Sequence, residues 1–498
     1  MRPDSTGLGR PHRAARTLFA SACLVAVALL AVASPAGAQQ GDAQAGKAVY
    51  EKKCALCHGE KGDGKGPAAD LLDPRPRDFT TGIYKIRTTL NKAPTDRDLF
   101  DVITRGMPGT FMPAWDILPE KDRWNLVADL KTFAPDKFKE TPKKQELPKE
   151  VASSPESIKR GKEMYEAIEC NKCHGAEGRA DGPSRAELKD EWGHPIRPAN
   201  LTKRWNFRGG GGRAEIAMRL ATGVLGTPMP SFVDSVEKPE DLWHLANYIA
   251  SLGPEAPNYA TLLSAQAAKG DIPNDPDAEF WRRIAPQNIP LVGQVTIDPR
   301  NFNPSIDMVV LRAAWNDKEI AFHVVWDDPT QSAVDAARKA LPDAVSLQFP
   351  RKVAEGAERP YFLMGGDADA VYLLRWETGK GATEATANGP TRITLLAGSE
   401  ATGTAVYANG QYRLVLKRPL ASKGPDRPTF QPAVFLPIAF QAWDGGAGET
   451  GTKMSLTSWY YLRLEEPQSN RRFVVPPVVA ILTLAAMLLV VRVANKRA

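Results

Sequence analysis

Cys54-Ala55-Leu56-Cys57-His58-Gly59 returns later in the chain as Cys170-Asn171-Lys172-Cys173-His174-Gly175, and nothing else in the 498 residues constrains the fold as strongly. Two thiols three positions apart lie on one helical turn, where each can form a thioether with a porphyrin vinyl group. The adjacent imidazole then presents a ring nitrogen to the iron. The spacing predicts two covalent c-type haems, one on Cys54 and Cys57 with His58 on the iron, the other on Cys170 and Cys173 with His174. A thioredoxin-like redox pair would want a strand before it and no obligatory histidine after it, whereas Gly46, Val49 and Tyr50 precede the first motif at helical spacing. A zinc centre would need four ligands from a compact set, and these pairs lie far apart in the chain.

Working outward, the surroundings of the two motifs match. Gly161, Met164 and Tyr165 stand before the second as Gly46, Val49 and Tyr50 stand before the first. Each motif is followed by a glycine-rich turn ending in Gly66-Pro67 or Gly182-Pro183, an Arg-Pro stretch, an amphipathic helix, a Met-Pro pair and a tryptophan-bearing helix. An offset of roughly 116 residues indicates two copies of one domain rather than a short-period array. Each copy resembles the class I cytochrome c family, over 39–135 and 155–253. The resemblance implies two all-α domains and a methionine as sixth iron ligand: Met112 in Phe111-Met112-Pro113-Ala114-Trp115 and Met229 in Pro228-Met229-Pro230-Ser231-Phe232. Met107 also precedes a proline, but its counterpart is Val224. Met164 and Met218 read as helix packing, and His194 and His244 as surface or core residues. A His/Met pair raises the haem potential and leaves no open iron position, which favours electron transfer over catalysis. The lysine- and glutamate-rich stretch 136–154 reads as a solvated linker, and Gly209 to Gly212, with no Lys-Ser or Lys-Thr after it, as a turn rather than a phosphate cradle.

Beyond residue 254 the pattern changes to short apolar runs, among them Met308 to Trp315, Glu319 to Trp326, Ala344 to Phe349, Ala370 to Trp376, Tyr412 to Leu416 and Val434 to Trp443. Asn409-Gly410 between two such runs is a hairpin signal. Eight to ten short strands predict an all-β sandwich over 254–470. This half has no cysteine, so a haem here would be held without covalent bonds. Asp343-Ala344-Val345-Ser346-Leu347-Gln348-Phe349-Pro350, Phe362-Leu363-Met364-Gly365, Trp376, Ala439-Phe440-Gln441-Ala442-Trp443-Asp444-Gly445, and Lys453 before Ser455 and Trp459 together resemble the haem b-binding gamma subunit of ethylbenzene dehydrogenase. That resemblance implies one b haem ligated by Met364 and Lys453, with Met454 beside the lysine and His323 in reserve. A lysine binds iron only as the neutral amine, so the metal bond and an apolar pocket must offset about 4–5 kcal/mol of deprotonation at pH 7. The non-redox alternative for this half is a ligand- or carbohydrate-binding module.

The two ends concern the membrane. Arg10, Arg13 and Arg16, the apolar stretch Leu18 to Val32 and Ala36-Gly37-Ala38 form a secretory signal over 1–38, which leaves His12 and Cys23 in a discarded segment. Val474 to Val491, inside an expected membrane helix over 473–493, is apolar enough to span, with Pro476 and Pro477 expected in its first turn. These features predict domains on the periplasmic side of a bacterial cytoplasmic membrane behind a single C-terminal anchor. A net charge of +6, spread along the chain, gives no support to a nucleic-acid partner. Resemblance to the gamma subunit further implies iron–sulfur and molybdenum catalytic subunits of the dimethyl sulfoxide reductase family as partners, as in nitrite oxidoreductase. A soluble cytochrome or membrane oxidase would stand at the other end of the relay. The expected role is a non-catalytic electron-transfer subunit. The alternative is a dihaem subunit of a respiratory oxidase whose β half only binds a partner.

Overall fold

The computed structural model describes residues 41–497 apart from 258, 261, 333–340, 353–358, 422, 433 and 467–470. The expected signal over 1–38, with His12 and Cys23, lies outside the described residues.

The first module holds helices α1 (Ala43–Lys53), α2 (Ala55–His58), α3 (Asp96–Arg105) and α4 (Glu120–Thr132). The second repeats them as α5 (Pro155–Ala167), α6 (Asn171–His174), α7 (Arg213–Thr222) and α8 (Asp241–Ser251). Each module is closed where its first helix crosses its last, and a glycine makes the crossing possible. A Cβ on Gly46 would lie 2.0 Å from the Asn125 carbonyl oxygen, and one on Gly161 would lie 2.0 Å from that of His244. Above the crossings, Tyr50, Leu99, Phe100, Leu126 and Leu130 form one apolar core, and Tyr165, Ile216, Leu220, Leu242 and Leu245 the other. Helix α3 starts on a capping box in which Thr95 and Asp98 satisfy each other's backbone N–H groups.

The stretch 136–154 is fastened rather than free. Lys143 accepts a bond from Leu90 N (2.8 Å) and Gln145 N donates to Thr88 O (2.9 Å) on the first module. Trp243 Nε1 donates to Pro148 O (2.8 Å) and Asn247 Nδ2 to Val151 O (3.1 Å) on the second. Its charged side chains face water, as composition predicts, while its backbone straps the two modules together.

The β half contains β1 (Leu262–Ala267), the short helix α9 (Glu279–Arg282), β2 (Gln287–Pro290), β3 (Val292–Gly293), β4 (Met308–Trp315), β5 (Glu319–Asp327), β6 (Ala344–Pro350) and β7 (Val371–Glu377). It continues through β8 (Gly381–Ala387), β9 (Ile393–Leu395), β10 (Thr402–Ala408), β11 (Gln411–Pro419), β12 (Phe435–Trp443), β13 (Ser455–Leu456) and β14 (Tyr460–Leu464). Among the described residues these strands form one sheet in the order β10-β11-β5-β4-β1-β14-β12-β6-β7-β8-β9. It is mixed: β1 runs parallel to both β14 and β4, while the other ladders are antiparallel. Asn409 and Gly410 turn β10 into β11 with positive φ at both residues, the backbone of a type I′ hairpin.

The two limbs of this sheet fold over a shared core. Phe322 on β5 touches Phe349 on β6 (ring centroids 5.9 Å), and Trp376 on β7 touches Tyr412 on β11 (5.6 Å), although these strands are far apart in the sheet order. The sandwich expected from sequence is therefore a single mixed sheet with facing limbs. The parallel ladders and the weakly patterned β1, β2, β3, β8 and β13 escape a reading based on apolar alternation. At the end of the chain, α10 (Arg471–Arg497) contains a window from Phe473 to Lys496 with mean hydropathy 2.7 and no burial against the rest of the protein. By length and composition it can cross a membrane. It begins earlier than the sequence suggested, which moves Pro476 and Pro477 out of the first turn and into the helix, where they remove two backbone donors.

Candidate haem centres

Both Cys-x-x-Cys-His motifs sit on a single helical turn directly after a longer helix. His58 Nδ1 lies 3.1 Å from Arg77 O, and His174 Nδ1 lies 2.8 Å from Ala199 O. A carbonyl can only accept, so it fixes the proton on Nδ1 and leaves the Nε2 lone pair for a metal. Burial lowers both imidazoles below their ordinary value, which keeps that lone pair free near neutral pH. Tyr50 and Tyr165 brace the turns from behind, their hydroxyls donating to Gly59 O (2.8 Å) and Gly175 O (2.6 Å). All four cysteines are half-buried and free of disulfides. Burial pushes the Cys54 and Cys170 thiols up to about 12, the opposite of the depressed value that a redox or zinc-binding thiol needs.

The methionine loops match bond for bond. Gly106 and Gly223 end α3 and α7 with φ of 68° and 69°. Met107 N donates to Met112 O (3.0 Å), as Val224 N does to Met229 O (3.0 Å). Met112 N donates to Thr110 Oγ1 (3.1 Å), as Met229 N does to Thr227 Oγ1 (3.3 Å). Met107 and Val224 thus fill one structural position, and Met112 and Met229 another. Trp115 N reaches back to Ile103 O and Phe232 N to Leu220 O, tying each loop to its helix. His194 is exposed in its turn, and His244 faces Ser157 Oγ at 2.8 Å inside the α5–α8 crossing.

Where the modules meet, Arg87 Nη2 donates to Thr222 O (2.5 Å) and Arg219 Nη2 to Arg87 O (3.1 Å). The Arg77 guanidinium lies 4.3 Å from the Trp192 ring, so the segment that orients His58 is clamped to the second module. Arg77, Lys85 and Arg208 crowd together there without an ion pair among the described residues. Burial, then the charges of Arg208 and Arg77, push the Lys85 ammonium down to about 7. Three cations short of counter-charge beside the His58 loop fit the carboxylate edge of a porphyrin. No motif announced Arg87, Lys85 or Arg208, because arginines and lysines without a fixed spacing read as surface charge.

In the β half, Met364 is wholly buried at a backbone φ of 58°. It joins Leu363, Leu373, Ala385, Trp443 and Met454 on the outer face of β6, β7, β8 and β12. A non-glycine residue in the left-handed region costs on the order of 1–2 kcal/mol and marks a place where position matters. Two buried polar atoms on this face, Ser346 Oγ and Gln441 Oε1, have no hydrogen-bond partner among the described residues. An apolar cluster with two thioethers, Met364 and Met454, and orphaned polar atoms has the donor chemistry of a haem site.

Of the expected ligands Met364 and Lys453, Met364 shares its apolar cluster with Met454, the neighbour of Lys453. Lys453 Nζ is half-buried and reaches only Ala447 O, at 3.4 Å. Leu456 pairs with Gln441 of β12, and Met454 lies with Leu456 in the Met364 cluster, whereas Lys453 sits in the bend before the strand, its N–H donating to Thr450 O (3.0 Å). His323 lies in a different cluster, stacked on Trp281 (5.2 Å) with Nε2 3.0 Å from Pro276 O. Burial lowers it to about 4, as suits a neutral structural histidine.

Comparison with known families matches this architecture piece by piece. Residues 41–128 match the family of cbb3-type cytochrome c oxidase subunit III, 158–253 match cytochrome c, and 278–394 match ethylbenzene dehydrogenase. The chain thus carries two cytochrome c domains and an ethylbenzene dehydrogenase-type domain. Among individual proteins, it is 25% identical over 225 residues to ORF7 of Haloferax mediterranei, named as a heme subunit of respiratory nitrate reductase, covering 45% of this chain and 78% of that one. It is 40% identical to a chain of the reducing HAO-like protein complex of Kuenenia stuttgartiensis, covering 43% of this chain and 98% of that chain at a TM-score of 0.41. A family 9 carbohydrate-binding module from Caldicellulosiruptor kristjanssonii aligns at 10% identity, over 42% of this chain and 97% of the module, with a TM-score of 0.26.

Proposed function

We propose that this chain is the multihaem electron-transfer subunit of a membrane-bound molybdoenzyme, carrying two c haems and one b haem. The observation that carries the reading is the duplicated pair of a carbonyl-oriented histidine and a methionine loop of identical hydrogen-bond pattern, on a chain that also holds an ethylbenzene dehydrogenase-type domain. When bound, the haems supply one-electron transfer. The protein would tether each porphyrin through Cys54 and Cys57 or Cys170 and Cys173, hold His58 and His174 in one tautomer, and offer Met112 and Met229 as further iron ligands. A filled coordination sphere excludes substrate from the iron and keeps reorganisation small. Met364 and Lys453 ligate the b haem. Lys453 makes a single long hydrogen bond and no ion pair among the described residues, so its long stem is free to turn inward.

The β domain docks an iron–sulfur subunit of a dimethyl sulfoxide reductase-family complex and exchanges electrons with it. The c domains pass them to or from a soluble cytochrome or a membrane oxidase. Helix Phe473–Lys496 anchors the assembly, with its domains on the periplasmic side behind a cleaved signal over 1–38. Joining relay and docking domain in one chain raises the effective concentration of the next carrier.

A second reading has its own support, since the first module matches a cbb3-type oxidase subunit. In that case the chain is a dihaem subunit of an oxidase and its β half only binds. Pyridine haemochrome analysis of the chain matured in a competent host decides between them, together with affinity purification from its membrane. The molybdoenzyme reading expects c and b haem at two to one and a co-purifying molybdenum subunit. Haem c alone with an oxidase core overturns it.

A further inference from the structure

We propose that Asp328, Asp343 and Asp444 form a buried calcium site that pins the two limbs of the β sheet to each other. Asp328 follows β5 in one limb, whereas Asp343 precedes β6 and Asp444 follows β12 in the other. All three are buried, at 0%, 0% and 3% exposure, and each offers a carboxylate oxygen within 4.8 Å of the others. The inference does not depend on any haem, nor on the electron-transfer role.

The carboxylates are held, not loosely gathered. Asp343 accepts from Ser332 N (2.6 Å), Tyr412 Oη (2.7 Å) and Gly445 N (2.9 Å). Asp444 accepts from Ala447 N (2.9 Å) and from Ser305 Oγ. Asp328 Oδ1 accepts from Thr330 N (3.0 Å), but Asp328 Oδ2, equally buried, has no partner among the described residues. An ionised oxygen without a partner at such depth is costly unless a cation meets it. No lysine, arginine or histidine among the described residues pairs with any of the three.

The chemistry of the donors selects the ion. Every candidate ligand is a hard oxygen, with the Thr330 and Ser332 hydroxyls close by and no thiol or imidazole. Calcium takes six to eight such oxygens at about 2.3–2.6 Å, so opposite ligands lie up to roughly 5 Å apart, and the observed envelope suits it. Gly446 keeps the space open, since a Cβ there would stand 2.2 Å from Thr330 Oγ1 and 3.1 Å from both Asp444 Oδ1 and Ser332 Oγ.

The test uses the full-length protein purified with and without a calcium chelator. Metal analysis should find about one calcium per chain after desalting, and added calcium should raise the unfolding temperature of chelated protein where magnesium at equal concentration does not. Asp328→Asn keeps the shape and removes the charge; it should weaken calcium binding by at least about tenfold and abolish the calcium-dependent rise. If the three carboxylates instead share protons without a metal, Asp328→Asn stabilises the chelated protein, and the wild type neither retains calcium nor responds to it. That pair of results overturns the proposal. Should the variant fail to fold, calcium retention and the melting response of the wild type still decide.

Discussion

Met112 and Met229 are defined by loops that superpose hydrogen bond for hydrogen bond, and each should act on its own iron alone. Met112→His is expected to move one c haem downward by on the order of 0.1–0.3 V, within the about 0.8 V that axial ligation spans, and to leave the other unchanged. Spectroelectrochemical titration reads both haems in one experiment. Lys453 and Met454 pose a sharper question, because the apolar cluster around Met364 already contains Met454. With lysine as the ligand, Lys453→Ala loses the b haem and Met454→Leu keeps it, as seen in the pyridine haemochrome spectrum at unchanged c content. The reverse outcome would transfer the role to Met454. What made the lysine legible was resemblance, whereas its place in the bend before β13 is set by the fold, which a motif does not encode.

Helix α4 carries a cost at its crossing with α1. Asp129 is buried beside Gly46, its Oδ2 has no partner, and burial raises its carboxyl from 3.8 to about 6. The folded state therefore holds this proton more tightly than the unfolded chain does. Between about pH 4 and pH 6 the native state binds more protons, so this residue's contribution to stability falls as pH rises through that window. Asp129→Asn should remove the fall and raise the melting temperature at pH 7 by roughly a few degrees. Calorimetry of the variant across that range checks it, and an unchanged slope would assign the pH dependence elsewhere.

Across the molecule, the second cytochrome domain is locked to the β half through Lys203. Its ammonium, 7% exposed as a residue, pairs with Asp307 and lies 3.5 Å from Asp327; Asn200 Nδ2 donates to the same Asp327 at 2.8 Å. The adjoining Ala199 carbonyl orients His174, so the lock and the proposed haem ligand share one segment. Lys203→Met removes the cation from Asp307 and Asp327, of which Asp327 keeps Arg179 at 3.5 Å, and should cost about 1–3 kcal/mol of domain docking. Limited proteolysis after residue 253 should become faster and small-angle scattering should report an expanded particle, while the c haem spectra persist. The first module is held to the second in a similar way, by Arg87 and Thr222 and by Arg77 on Trp192. The arrangement is thus a continuous body from the first haem motif to the sheet.

Much of this molecule could be read before any coordinate was known. Cys-x-x-Cys-His is a covalent demand with a fixed spacing, so it survives translation into a string of letters, and duplication let each copy check the other. Met112 over Met107 is one case: the counterpart of Met107 is Val224, and the two occupy one hydrogen-bonded position. Strands that form near-continuous apolar runs, such as Met308–Trp315, were also legible, because such a run is a local signal. What only the tertiary structure decided depends on residues distant in the chain. The parallel ladders of β1, the burial of Met454 beside Met364, the clamp of Arg77 on Trp192 and the meeting of Asp328, Asp343 and Asp444 all arise when segments separated by many residues pack together. Charge, parity and burial acquire their consequences there, since a carboxylate is costly only once its neighbours have removed the water.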